Sequence, residues 1–113
     1  MNYFTTKVKK KIYTKAITHF KVIDSNNSFS LLLLSPKTGR KHQIRKQLLI
    51  HGHPILGDKK YRMPDSIKRR DDYLMLHAYK INFSIDKDKF KYVAELPDHF
   101  VKELKKKNLK IFQ

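Results

Sequence analysis

The tightest constraint on what this chain can fold into is local: two runs of strand-forming residues flank a cluster of four turn formers. Lys15 to Ile23 is rich in β-branched and aromatic residues, Ser28 to Leu34 is a compact apolar run, and Asp24-Ser25-Asn26-Asn27 lies between them. Short polar side chains that bond their own backbone favour turns, and β-branched side chains suit a pleated surface, so the pattern predicts a β-hairpin. Pro36-Lys37-Thr38-Gly39 then breaks the strand. From about Lys41 the period becomes helical. At about 100° per residue, Ile44, Leu48 and His51 form one stripe, Arg45 and Leu49 border it, and Gln43, Lys46 and Gln47 fall on the far side. Gly52 and Pro54 end that helix.

The second half repeats the logic. Residues 55–72 form a long polar connection ending in Lys68-Arg69-Arg70-Asp71-Asp72. Tyr73 to Phe83 and Phe90 to Leu96 read as strands joined by the turn Asp86-Lys87-Asp88-Lys89, and Pro97-Asp98 opens a short basic helix running through Phe100, Val101, Leu104 and Lys105 to Lys107. The basic segment 1–14, crowded with Lys7, Lys9, Lys10 and Lys11, fits either a flexible arm or a strand without its normal neighbours. The expected order is β-β-α-β-β-α. This is an α+β class in which both hairpins join one mainly antiparallel mixed sheet, with the helix at 41–51 packed on it. With 113 residues, no repeat and no Pro/Gly/Ser-rich linker, residues 1–113 read as one domain.

Charge narrows the partner. The chain carries 26 Lys+Arg against 10 Asp+Glu, a net charge of +16, which is the electrostatic footprint of a nucleic-acid binder or, less often, of a protein for anionic membranes. No apolar run approaches the ~20 residues that span a bilayer, and no hydrophobic block follows the N-terminal charges, so a cytoplasmic protein with no membrane partner is expected. The absence of cysteine removes disulfides, thiolate zinc sites and cysteine nucleophiles together. His51, His53 and His77 have no acidic neighbour in ligand spacing, so no metal is expected.

Chemistry concentrates in Thr38-Gly39-Arg40-Lys41-His42-Gln43-Ile44-Arg45, followed by Gly52-His53-Pro54-Ile55, Gly57-Asp58 and Tyr61. A glycine turn feeding a helix whose first turn holds Arg40, Lys41, His42 and Arg45 brings free N–H groups, the positive dipole end and cationic side chains to one place. Such a place takes a phosphate or a carboxylate. In this order and spacing, with the Lys15-Ala16-Ile17-Thr18 strand before and Leu76-His77-Ala78 after, the chain resembles the C-terminal part of the catalytic domain of RluA-type RNA pseudouridine synthases. It departs from that pattern at Lys46 and Gln47, where an apolar residue and a histidine are usual, and at Arg62, where glycine is common.

The resemblance implies a reaction and roles. In complete members an aspartate attacks the target uridine, the glycosidic bond breaks, and the uracil rotates and rejoins the ribose through carbon, without metal or cofactor. Arg45 matches the arginine that pairs with this aspartate, and Ile44 and Leu76 would line the base pocket. The summed positive field points to Lys37, Arg40, Lys41, His42 and Lys46 as contacts to RNA, ribosomal or transfer. The aspartate itself, in an Arg-Leu-Asp context upstream of the Thr-Gly-Arg motif, and the tyrosine after it are absent from these 113 residues. The chain therefore reads as half an active site: a fragment, a truncated gene product, or a subunit that needs the missing N-terminal catalytic half or a second copy of itself. The other reading is a non-catalytic basic RNA-binding module. The bare chain is expected to be inactive.

Overall fold

The structure, a computed structural model, describes residues 2–8, 14–64 and 73–111. Seven elements follow in the order β1 (Asn2–Val8), β2 (Thr14–Ser25), β3 (Ser30–Pro36), α1 (Gln43–Ile50), β4 (Lys80–Ile85), β5 (Asp88–Val93) and α2 (Asp98–Lys106). The basic stretches at Lys9–Lys11 and Lys68–Asp72 lie outside the described residues.

The first hairpin forms as the turn chemistry requires. Asn26 Oδ1 accepts from the N–H groups of Ser28 and Phe29, at 3.0 and 2.9 Å, and so mimics a backbone turn. β2 and β3 pair antiparallel, with an irregularity between Val22 and Asp24 that leaves Ile23 as the extra residue. Ile23 packs with Phe29 against a core of Leu31, Phe100, Leu104 and Leu109, to which Met75, Leu96 and Ile111 also contribute. Helix α2 supplies Phe100 and Leu104 at the i, i+4 spacing of one helical face, and this explains why a nine-residue basic helix is stable here.

Three expectations need correcting. Residues 2–8 form a strand, β1, antiparallel to β2, which is one of the two readings of the segment 1–14, so it is the β-β-α order that needs one more strand at its start. The two hairpins do not join one sheet: β1-β2-β3 form one and β4-β5 another, and every described pairing is antiparallel. Tyr73–Tyr79, read as the start of a strand, runs without a ladder, and pairing begins only at Lys80. A strand needs a continuous run of backbone bonds to a neighbour, and between this stretch and the rest of the described chain there are only single ones, from the Met75 N–H to the Leu56 carbonyl and from the Ala94 N–H to the Tyr79 carbonyl.

Helix α1 differs from the periodic reading in an informative way. Its buried residues are Gln43, Gln47 and Leu48, whereas Ile44 is half-buried and His51 is exposed. The glutamines face inward because every polar atom is satisfied there. Thr18 Oγ1 donates to Gln47 Oε1 at 2.5 Å and Gln47 Nε2 donates to the Ala16 carbonyl at 3.0 Å. Gln43 Nε2 donates to the Ile17 carbonyl at 2.9 Å and to Thr18 Oγ1 at 2.8 Å. Its Oε1 accepts from Thr38 Oγ1 at 2.7 Å and from the Arg40 N–H at 3.1 Å. A fully paired buried network fixes one geometry, because any slip leaves a desolvated donor or acceptor. It clamps α1 to β2 and sets the orientation of Arg45.

Candidate functional site

Two segments meet at the site: the junction into α1, residues 38–45, and the loop 55–61. His42 stands at the helix N-cap in the left-handed region, φ 51° and ψ 32°, and no side chain caps the helix there. That conformation is uncommon outside glycine, and histidine is among the residues that tolerate it. The Arg40 N–H is instead taken by the Gln43 side chain.

The loop 55–61 owes its path to Gly57. Its φ is +82°, and a Cβ there would lie 1.8 Å from the Tyr73 carbonyl oxygen, so only glycine fits. The Met75 N–H donates to the Leu56 carbonyl at 2.9 Å, which docks the loop on the segment before β4. Asp58 follows, with its side chain wholly enclosed. Its Oδ1 accepts from the N–H groups of Lys60 and Tyr61 at 3.0 and 2.9 Å.

Asp58 turns its carboxylate toward Arg45, which donates from Nε to Oδ2 and from Nη2 to Oδ1, both at 2.8 Å. The carboxylate side chain has 0% exposure and the guanidinium side chain 21%. A side-on bidentate bond of this kind is the strong, geometrically specific form of the pair. It holds the Asp58 carboxyl down at about 2: the Arg45 hydrogen bond and the two backbone N–H groups outweigh the upward push of burial. The Arg45 Cζ lies 4.9 Å from the centre of the Tyr61 ring, and Lys60 Nζ lies 5.3 Å from the same ring. The Tyr61 hydroxyl is 2.9 Å from His42 Nδ1. Burial, then the charges of Arg45, Lys60, Lys41 and Lys46, lower the His42 pKa below its ordinary value, so this histidine favours the neutral form.

Arg45 is thus held rigid on one edge with its end-on edge unspent. Among the described residues no acceptor meets Nη1. A guanidinium in this state can grip a second carboxylate or a phosphate. Of the other named cations, Lys41 and Lys46 act with Arg45 on His42, and Lys37, Arg40 and Lys41 are exposed while Lys46 is half-buried. Ile44 is half-buried on α1, Leu76 is exposed in the unpaired stretch before β4, and neither belongs to the Leu31–Phe100 core. His77 is structural, its Nε2 3.1 Å from the Ala94 carbonyl. Among the described residues no three His, Asp or Glu side chains converge as metal ligands.

The sequence reading gave no role to Asp58 and Lys60, and quoted Tyr61 only as part of the pattern. The available signal was the run Gly57-Asp58-x-x-Tyr61, in which a glycine-led acidic turn presents two N–H groups to its own carboxylate.

Comparison with known proteins identifies the family. A family model described as RNA pseudouridylate synthase matches residues 2–49, from β1 through α1. The ribosomal large subunit pseudouridine synthase D of Borreliella burgdorferi is 41% identical over 96 residues, covering 83% of this chain. The ribosomal large subunit pseudouridine synthase C of Rickettsia typhi is 39% identical over 92 residues, 79% of this chain. The chain belongs to the RluA-type RNA pseudouridine synthases. A third member, the dual-specificity RNA pseudouridine synthase RluA of Haemophilus influenzae, is 43% identical over 72 residues, 62% of this chain. The chain spans only 29%, 30% and 32% of these three relatives, so it carries one portion of a synthase domain. Among its described residues no helix is long and apolar enough to cross a membrane.

Proposed function

We propose that this chain supplies the arginine side of an active site that isomerises uridine to pseudouridine in RNA, in the cytoplasm, with no cofactor. The two relatives with the longest matches above carry names that place them on the large ribosomal subunit, and ribosomal RNA is accordingly the substrate class proposed here. The observation that carries the reading is Arg45, fixed by Asp58 and Tyr61 with its end-on edge open, at the head of a helix flanked by Arg40, Lys41 and Lys46.

In this reading the nucleophilic aspartate comes from polypeptide outside these 113 residues. A carboxylate in a pocket closed around an extruded base would be driven toward protonation by desolvation, and an adjacent guanidinium opposes that shift. Arg45 keeps the incoming aspartate ionised, as it keeps Asp58. Lys37, Arg40, Lys41, His42 and Lys46 hold the RNA backbone through phosphate contacts. Ile44 and Leu76 line the base pocket once the second portion closes it.

The test is reconstitution. The 113-residue chain is mixed with the portion of the Borreliella burgdorferi relative that precedes its matched stretch, and pseudouridine in ribosomal RNA is scored by chemical labelling. Arg45→Ala should abolish most turnover and leave RNA affinity nearly intact, and Arg45→Lys should restore little, because an ammonium cannot reproduce the fork. Full turnover with Arg45→Ala would refute the assignment. RNA binding without turnover in every mixture would favour the non-catalytic module.

A further inference from the structure

Tyr61 is fixed at both ends. Its N–H donates to Asp58 Oδ1 at 2.9 Å, and its ring centre lies 4.9 Å from Arg45 Cζ and 5.3 Å from Lys60 Nζ, so the acidic turn and two cations set where the ring stands. At the far end its hydroxyl meets His42 Nδ1 at 2.9 Å, with the two rings crossing edge-on at 73°. Holding Arg45 uses the ring of Tyr61. The hydroxyl is left for His42.

His42 gives up a helix cap to make this contact. An N-cap side chain ordinarily accepts from a free N–H of the first helical turn, and His42 makes no such bond. Its backbone also stays at φ 51°, a region that non-glycine residues adopt only under local strain. The other ring nitrogen, Nε2, meets no partner among the described residues. The charges of Arg45, Lys60, Lys41 and Lys46 add to burial in favouring the neutral ring. A neutral imidazole has one N–H, and which nitrogen carries it depends on what the other nitrogen meets. A phenol is a stronger donor than an imidazole N–H, and an imidazole nitrogen is a stronger acceptor than a phenol oxygen. Tyr61 therefore donates and Nδ1 accepts.

We infer that Tyr61 is a positioning residue for RNA: its hydroxyl donates to His42 Nδ1, which leaves the proton on Nε2 and so offers a neutral N–H donor to an RNA phosphate. The inference rests on the RNA contact proposed for His42 above. With the other tautomer, Nε2 would present a lone pair to a phosphate oxygen, acceptor against acceptor. Lys41 and Lys46 attract phosphate by charge, which reaches in every direction, whereas a single N–H on a ring held by Tyr61 binds along one line. A histidine that binds phosphate through the placement of its proton needs no positive charge of its own.

The experiment has two arms. The first is nitrogen NMR of the His42 ring in the free 113-residue chain, at about pH 8, where the ring is neutral. Nδ1 should appear unprotonated and Nε2 protonated. Tyr61→Phe keeps the ring beside Arg45 and removes only the hydroxyl, so the two tautomers should then mix and the two ring signals move toward each other. The second arm is affinity for a single-stranded oligouridylate at fixed salt. Tyr61→Phe should weaken binding about 3- to 10-fold, the range of one net hydrogen bond. The same substitution should have no effect in a His42→Gly background, where glycine keeps the left-handed backbone. A protonated Nδ1, ring signals unmoved by Tyr61→Phe, an equal loss in the His42→Gly background, or full RNA affinity in His42→Gly alone would each overturn the inference. Neither arm scores pseudouridine. A failed reconstitution would therefore retire the function and leave this inference standing, and any of the four results above would retire this inference alone.

Discussion

Asp58→Asn isolates what the buried carboxylate contributes. The Asp58 carboxyl sits at about 2 in the folded chain, against ~3.9 for an unfolded aspartate, a gap worth about 2–3 kcal/mol in favour of the folded, ionised state. Asparagine can still accept the Lys60 and Tyr61 N–H groups through its oxygen, but its amide nitrogen then faces Arg45 Nε where Oδ2 now accepts, donor against donor. The expected loss at pH 7 is therefore about 2–3 kcal/mol, between the values typical of exposed and of buried broken pairs. Because the folded pKa is depressed, this stability is fully present above about pH 4. It is lost as pH falls toward 2, where the unfolded chain has already taken up the proton. Urea unfolding of both proteins from pH 7 to pH 2 measures it directly. The gap between them should be constant down to about pH 4 and then narrow. A gap below ~0.5 kcal/mol at pH 7, or one that does not change between pH 4 and 2, would refute the reasoning.

Three further outcomes follow from the same geometry. Gly57→Ala should destabilise by more than ~1 kcal/mol in urea unfolding, since it meets both a positive φ and the Tyr73 carbonyl. The His42 ring should titrate below 6.5 by NMR in the free chain and move upward when RNA phosphates offset Arg45, Lys60, Lys41 and Lys46. RNA affinity should fall steeply with salt, and Lys41→Ala should weaken binding and lower the slope of log K against log salt by about 1, as loss of one phosphate contact requires.

Much of this architecture was legible because it is locally encoded. The Asp24–Asn27 turn, the α1 region after Thr38-Gly39, and the Pro97-Asp98 helix start all depend on neighbours within a few residues, and each appears close to its expected place. The inward face of α1 was not legible, because periodicity counts apolar residues and cannot see that Thr18, Ala16 and Thr38 would satisfy Gln43 and Gln47. The departure at Gln47 has a role for the same reason: the residue joins the clamp. Arg45 was singled out by its motif, yet its partner Asp58 lies thirteen residues away across a loop whose path depends on Gly57. The single sheet failed because the hairpin patterns report that an apolar face needs covering and not which element covers it.

The central claim, an arginine half-site without its nucleophile, is tested most directly by assaying the bare 113-residue chain for pseudouridine at high protein concentration on ribosomal RNA, using chemical labelling because the isomerisation leaves mass unchanged. The account predicts no product from the chain alone and product once an aspartate-bearing portion is added, since a guanidinium that keeps its proton can position and stabilise but not act as the base. Turnover by the bare chain would contradict it, and would mean that one of its own aspartates, Asp58 included, performs the attack.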